Sequence, residues 1–489
     1  MDENQCRELL ANLQLEQTRN IALTEIKSTL ITANNSELSQ NFLKSPELLE
    51  CFENANSEQT LLVTDILSIC MSNLSIDEPA EVKNVIEKSL SHANPKVQVF
   101  GLRELHRLLL AQPDSFANES VILLVIKCLT SDDTSVGTPS IDLLVLLLPR
   151  FVHLRSIQKN LEDVLTKKDI VRCRLYEVAV KVGSQSPALL DSMEKVLHKS
   201  VQELEGEDIL LQLNVLQVLS ELALSDHGMA YLENNGVFDN LMRKTNQLDE
   251  DPLAAILIPG LMRCYGSIAA IHPAKIYDGY PKIISLLFDC LLSEDFSVLP
   301  VAYDTLGYIA HPSEGKRQIH YKHGALLKKT LKHFHTIIRN LPNELKLRLL
   351  SCLQSLFSVD TTVIDNQITT ITQTWYDYLT EQENLNLVMD YIRNPFPDMR
   401  RSALALLKAI VSHRWGQLYM LNTGGFVEYI LDRKQEVDKD VILEKYEIIR
   451  QLAESTVFDQ QTQAELKRYV AEGAFFVQGV TEVAIEGAS

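Results

Sequence analysis

One pattern recurs along this chain and limits what it can fold into. A short acidic or Asn/Pro opening is followed by about fifteen residues whose apolar positions keep the helical period. It appears as NPKVQVFGLRELHRLLL, DDTSVGTPSIDLLVLLL, KDIVRCRLYEVAVKV, GEDILLQLNVLQVLSELAL, EDPLAAILIPGLMRCYGSIAA, EDFSVLPVAYDTLGYIA, LPNELKLRLLSCLQSLFS, FPDMRRSALALLKAIVS and KDVILEKYEIIRQLAES. The openings fall at Asn94, Asp133, Asp169, Asp208, Asp251, Asp295, Asn343, Asp398 and Asp440, in steps of between 36 and 55 residues. Asp and Asn at such a place cap free backbone N–H groups and suit the positive helix end.

Steps of this size sit around the ~40–47 residues of HEAT and armadillo repeats. Three units add a Gly, a short helical pattern and a second Gly: Gly228 with Gly236, Gly315 with Gly324, and Gly416 with Gly425. The spacing predicts a three-helix armadillo rhythm there, with the glycines at helix C-termini, and two-helix HEAT units earlier. The expected fold is all-α, a curved HEAT/armadillo-like α-solenoid in which each repeat touches mainly its neighbours. The expected organisation is an N-terminal helical cap over 1–90, repeats over 91–471 and a partly ordered tail over 472–489. The longest step carries SVDTTVIDNQITTITQTWYDYL, read as a longer loop followed by a displaced helix.

Composition narrows the function classes. Aromatics are only 7% and leucine is everywhere, which disfavours a β-sandwich. A net charge of −19 opposes phosphate backbones and anionic lipid, so neither nucleic acid nor membrane is expected as a partner. The longest apolar stretches, near 121–129 and 141–148, fall short of the ~20 residues a membrane span needs. The eight cysteines lie at least 19 residues apart, so no short metal-ligand spacing exists, and most occupy apolar helical contexts as small buried hydrophobes. The N-terminus has no signal-peptide core, and a reduced intracellular protein is expected.

Catalytic motifs are missing from the sequence: there is no GxxxxGK[ST], GxGxxG, HExxH or GxSxG. His320, His323, His333 and His335 form the one tempting metal constellation, but Lys322, Lys328, Lys329 and Lys332 surround it and would repel a divalent cation. No metal, cofactor or catalytic residue is expected. Read as charge, the stretch from Lys316 to Arg348 holds nine basic residues and one acid, a local +8 that leaves the remainder at −27. It suits an acidic partner surface; the alternative is a solvated helix face balanced by acidic neighbouring repeats. Two tryptophans, Trp375 and Trp415, cannot build the Trp/Asn ladder with which armadillo carriers hold import peptides.

Particular segments carry a closer likeness. KDIVRCRLYEVAVKVGSQSPALL (168–190), GEDILLQLNVLQVLSELALSDHGMAYLENNGVFDNL (206–241), NTGGFVEYILDR (422–433), KYEIIRQLAES (445–455) and the ending IEGAS resemble the proteasome non-ATPase regulatory subunit 5 family. The likeness runs in register from about residue 90 onward and thins before it. It implies a cytoplasmic assembly chaperone, with the nucleus also open to it, for the base of the 26S proteasome regulatory particle. Such a protein would hold the C-terminal domain of the base ATPase regulatory subunit 7, in a precursor with ATPase regulatory subunit 4 and non-ATPase regulatory subunit 2, and leave before completion. Arg172, Arg174 and Glu177 lie in the well-matched DIVRCRLYEV segment and are candidate partner contacts, an Arg174–Glu177 ion pair one turn apart being the alternative. Lys328, Lys329 and Lys332 are the candidates in the basic stretch. The competing functions are a permanent scaffold and an enzyme resting on the histidine cluster.

Overall fold

The opening side chains act as caps at three repeats. Asn94 accepts from the Lys96 amide, Asp133 from Ser135 and Asp208 from Leu211. Others lie just inside the first turn: Asp169 and Asn343 are first residues of helices Asp169–Gly183 and Asn343–Phe357, while Asp398 and Asp440 are second in Pro397–Val411 and Lys439–Ala453. Asp295 instead bonds the Ser297 amide in the turn before Leu299–Ala310. A carboxylate one residue late still meets the helix dipole, so the sequence signal survives the shift.

The computed structural model describes residues 3–33, 36–54, 57–73, 79–247, 254–359, 365–380 and 384–476. Asp251, residues 360–364 of the long loop and residues 477–489 of the tail lie outside these. The described residues form helices and turns, with no strand, as the all-α expectation requires. None of the helices is long and apolar enough to cross a membrane. The chain separates into two compact units, residues 1–237 and 238–489. The sequence boundary at 90 falls inside the first, where helix Pro79–Ser91 packs against Pro95–Ala111.

In the first unit the helices that open repeats stack in one layer: Pro95–Ala111, Thr134–Phe151, Asp169–Gly183 and Ile209–Leu222, each against the next. A second layer, Pro79–Ser91, Glu119–Leu129, Arg155–Val164 and Glu194–Glu203, backs them one for one. In the second unit the lead helices are Ile258–Ile271, Leu299–Ala310, Asn343–Phe357, Pro397–Val411 and Lys439–Ala453. Each lead helix buries one stripe against its backing helix and both flanks against its layer neighbours, which is the solenoid plan. Leu216 and Leu219 are 2% and 1% exposed, as the helical register expects. Cys70, Cys128, Cys264, Cys290 and Cys352 are buried, and burial pushes the Cys264 thiol up to about 12.

The glycine pairs require a correction. Gly236 and Gly425 have φ of 68° and 76°, the left-handed conformation expected between helices. Gly228, Gly315 and Gly416 are not helix ends. Each is the third residue of a short or kinked helix, Asp226–Asn234, Ser313–Ile337 and Arg414–Asn422. A Cβ on Gly315 would stand 1.9 Å from the Ile309 carbonyl oxygen; the corresponding distances are 2.0 Å to Leu222 from Gly228 and 2.1 Å to Ile410 from Gly416. The chain turns so sharply off each lead helix that the next helix grazes its last carbonyls. Glycine serves closeness here. The second pair's second member, Gly324, follows His323, whose non-helical φ of −129° and ψ of 19° break Ser313–Ile337 into two helices meeting at a kink, without the left-handed glycine expected there.

Candidate functional site

Two sets of sequence candidates meet different fates. Arg174 is 6% exposed, and its Nη1 donates to the Leu129 carbonyl at 3.0 Å and the Ser131 carbonyl at 2.6 Å. It closes the C-terminus of helix Glu119–Leu129, and Gly137 leaves the room for it, since a Cβ there would lie 2.0 Å from Nη1. The Arg174–Glu177 pair does not form. Glu177 pairs with Lys181 at 2.7 Å, and Arg172 with Asp169 at 2.9 Å and Glu203 at 3.3 Å. Arg174 therefore holds neighbouring repeats together.

Five of the nine basic residues are spent inside the fold. Lys316 is fully buried; its Nζ donates to the carbonyls of Ala310 at 2.6 Å, His311 at 2.9 Å and Ser355 at 3.1 Å. Burial pulls its ammonium down to about 7. Arg317 pairs with Glu314 and Asp365, Lys322 with Asp278, Arg339 with Asp390 at 3.0 Å, and Arg348 with Asp304 at 2.6 Å. Acidic side chains on neighbouring elements thus balance about half of the +8. Lys328 lies 4.9 Å from the centre of the Tyr378 ring, and Lys328, Lys329 and Lys332 are exposed.

The histidines are not gathered. His320 faces the Trp375 ring at 6.5 Å, and His323 faces Tyr277 at 5.8 Å and Phe288 at 6.1 Å. Burial lowers the pKa of His320, His323 and His333. Among the described residues no three His, Cys, Asp or Glu side chains are grouped to hold a metal ion.

What the stacked lead helices do present is a polar face, crossed by ion pairs. In the first unit Lys181 reaches Asp142 of the preceding lead helix at 3.8 Å. In the second, Arg348–Asp304, Arg401–Asp440 at 2.9 Å and Lys408–Glu444 at 4.0 Å link successive lead helices. Near the end of this layer a trough of about 660 Å3 opens over helices Asn343–Phe357, Pro397–Val411 and Lys439–Ala453. Ala405, Ala409 and Ser412 floor it, with Gln354 and Gln451 on either side and Glu444, Glu447 and Glu454 among its charges. A hollow of about 520 Å3 adjoins it, sharing Val359, Ser412 and Glu454. Sequence reasoning passed over these residues because each looks like an ordinary exposed helix position. Only the small residues at 405, 409 and 412, one helical stripe, hinted at an open floor.

Comparison with known proteins finds relatives in sequence and a likeness in fold. A family model described as proteasome non-ATPase 26S subunit matches residues 2–489. The 26S proteasome non-ATPase regulatory subunit 5 of Drosophila melanogaster is 31% identical, covering 99% of this chain and 99% of its own length. The Bos taurus and Homo sapiens proteins of the same name are 29% and 28% identical, over 95% and 89% of this chain and 96% and 89% of theirs. Among solved structures, importin beta superposes with a TM-score of 0.52 at 12% identity, over 95% of this chain and 75% of that one, a likeness of fold.

Proposed function

The chain belongs to the proteasome non-ATPase 26S subunit family, and on that premise we propose that it is a non-catalytic assembly chaperone of the proteasome regulatory particle. It holds the C-terminal domain of the base ATPase regulatory subunit 7 within a precursor that also contains ATPase regulatory subunit 4 and non-ATPase regulatory subunit 2. It acts in the cytoplasm and leaves before the particle is complete. The observation that carries this reading is the polar, ion-paired face of the lead helices. A stack of helices offers a large surface at little ordering cost. Arg401–Asp440 and Lys408–Glu444 can exchange partners with an incoming charged surface, so the complex can be broken again. An obligate interface would instead be broadly apolar.

Lys328, Lys329 and Lys332 supply the positive flank of the contact. Reversing all three to Glu is expected to slow association with the ATPase C-terminal domain at low salt and to leave the melting temperature in place; equal association rates would remove them from the interface. Parent binding is expected to weaken as salt rises, because exposed pairs are screened over about 8–10 Å at physiological ionic strength. Co-sedimentation from cell extract decides the larger question. The chaperone travels with ATPase precursors and is missing from completed 26S particles, whereas co-migration with the finished particle would mark a permanent subunit or scaffold.

A further inference from the structure

We propose that the trough over the last lead helices of the second unit is a separate recognition site, which takes an extended, basic polypeptide segment of a partner. This goes beyond the folded-domain contact proposed above. The trough is wide and open, with charged and amide side chains among its lining, whereas small-molecule pockets enclose most of their ligand. Gln354 and Gln451 are half-buried on the two outer helices, and their side-chain amides make no hydrogen bond among the described residues. Each amide carries one acceptor and two donors, the complement of a peptide backbone.

The spacing suits a strand of chain lying across the helices. Packed helices stand about 8–10 Å apart, so two intervals separate the glutamines by about 16–20 Å. An extended segment covers that distance in about five or six residues. Between them Ala405 and Ala409 keep the floor low enough for backbone to approach.

Charge selects the occupant. Glu447 is neutralised by Arg450 at 2.5 Å, and Glu444 faces Lys408 at 4.0 Å. Glu454, at the junction of the trough and its adjoining hollow, is exposed and has no cationic partner among the described residues. A lysine or arginine from the bound segment completes that pair, whereas an acidic segment would meet three carboxylates against two cations.

The test pans a random twelve-residue peptide library displayed on phage against the full chain. The expected result is enrichment of sequences carrying Lys or Arg at a fixed place. One enriched peptide, labelled and titrated by fluorescence anisotropy, should lose at least tenfold in affinity with Ala405→Trp, which fills the floor, and with Glu454→Lys. Exchanging the peptide's conserved cation for Glu should restore binding to Glu454→Lys, which a misfolded variant would not allow. Melting curves of both variants check that the fold persists. No basic consensus, or an enriched peptide indifferent to both substitutions, overturns the proposal. The ATPase C-terminal domain is titrated against the same variants: loss of peptide binding alone separates this site from the folded-domain contact. Failure of the domain to bind the parent sinks that earlier reading and leaves this one standing.

Discussion

Replacing Gly315 by alanine is expected to lower the melting temperature of the second unit by about 6–12 °C. The new Cβ would stand 1.9 Å from the Ile309 carbonyl oxygen, and that obstacle is backbone, which cannot swing aside as a side chain would. Overpacking of this kind costs about 3 kcal/mol. In a domain of this size each kcal/mol moves the midpoint by about 2–4 °C. Gly228→Ala and Gly416→Ala should behave alike in their own units, against Leu222 and Ile410. Gly324→Ala is the control, since nothing lies within 4 Å of its missing Cβ and its backbone is not left-handed. Calorimetry of the four variants checks the set. A mild effect at 315 beside the same mild effect at 324 would mean the corner is looser than described.

Lys316 is the second large effect. Lys316→Met removes a donor shared by three carbonyls on two successive lead helices, Ala310 and His311 on one and Ser355 on the other. Orphaned buried acceptors cost about 1–3 kcal/mol each, and part of that is returned by no longer burying an amine, so a loss of about 3 kcal/mol is expected. The loss should depend on pH. Burial holds the folded-state pKa near 7, below the usual 10.5, so the unfolded chain binds more protons between those values. The parent's stability therefore gains from this residue as pH rises from about 7 toward 10.5, by at most about 1.4 kcal/mol per pH unit. Below pH 7 both states are charged and the contribution is flat. Denaturant titrations of parent and variant at pH 7 and pH 9 should diverge, and a difference that stays constant would place the Lys316 pKa elsewhere.

These two residues show where sequence reasoning reached its limit. The repeat, the helix openings and the buried faces of helices such as Ile209–Leu222 were legible, because all of them are written within a window of some fifteen residues. The function of Arg174 was not, because its acceptors lie 45 and 43 residues upstream and leave no trace beside it. Lys316 counted as surface charge for the same reason; its third acceptor is 39 residues on. The three glycines were seen and misassigned. Their even placement signalled a corner, but whether a glycine ends one helix or lets the next pass close by depends on a backbone that spacing does not specify. The trough was illegible in a stronger sense, since it is made by three helices jointly and no one of them holds it.

The separation of these contacts along the chain has a consequence for how the protein is made. Arg174 to Leu129, Lys316 to Ser355, Tyr419 to Asp377 and Arg401 to Asp440 all join residues between 39 and 45 positions apart. Partners this near in sequence give a low contact order and quick local closure. Within each unit a repeat leaving the ribosome needs only the repeat just before it, and folding can advance with synthesis, N-terminal repeats first. Once Gly183 has cleared the ribosome, every partner of the Arg174 clamp on Leu129 and Ser131 is present, and the clamp can close before helix Ile209–Leu222 emerges.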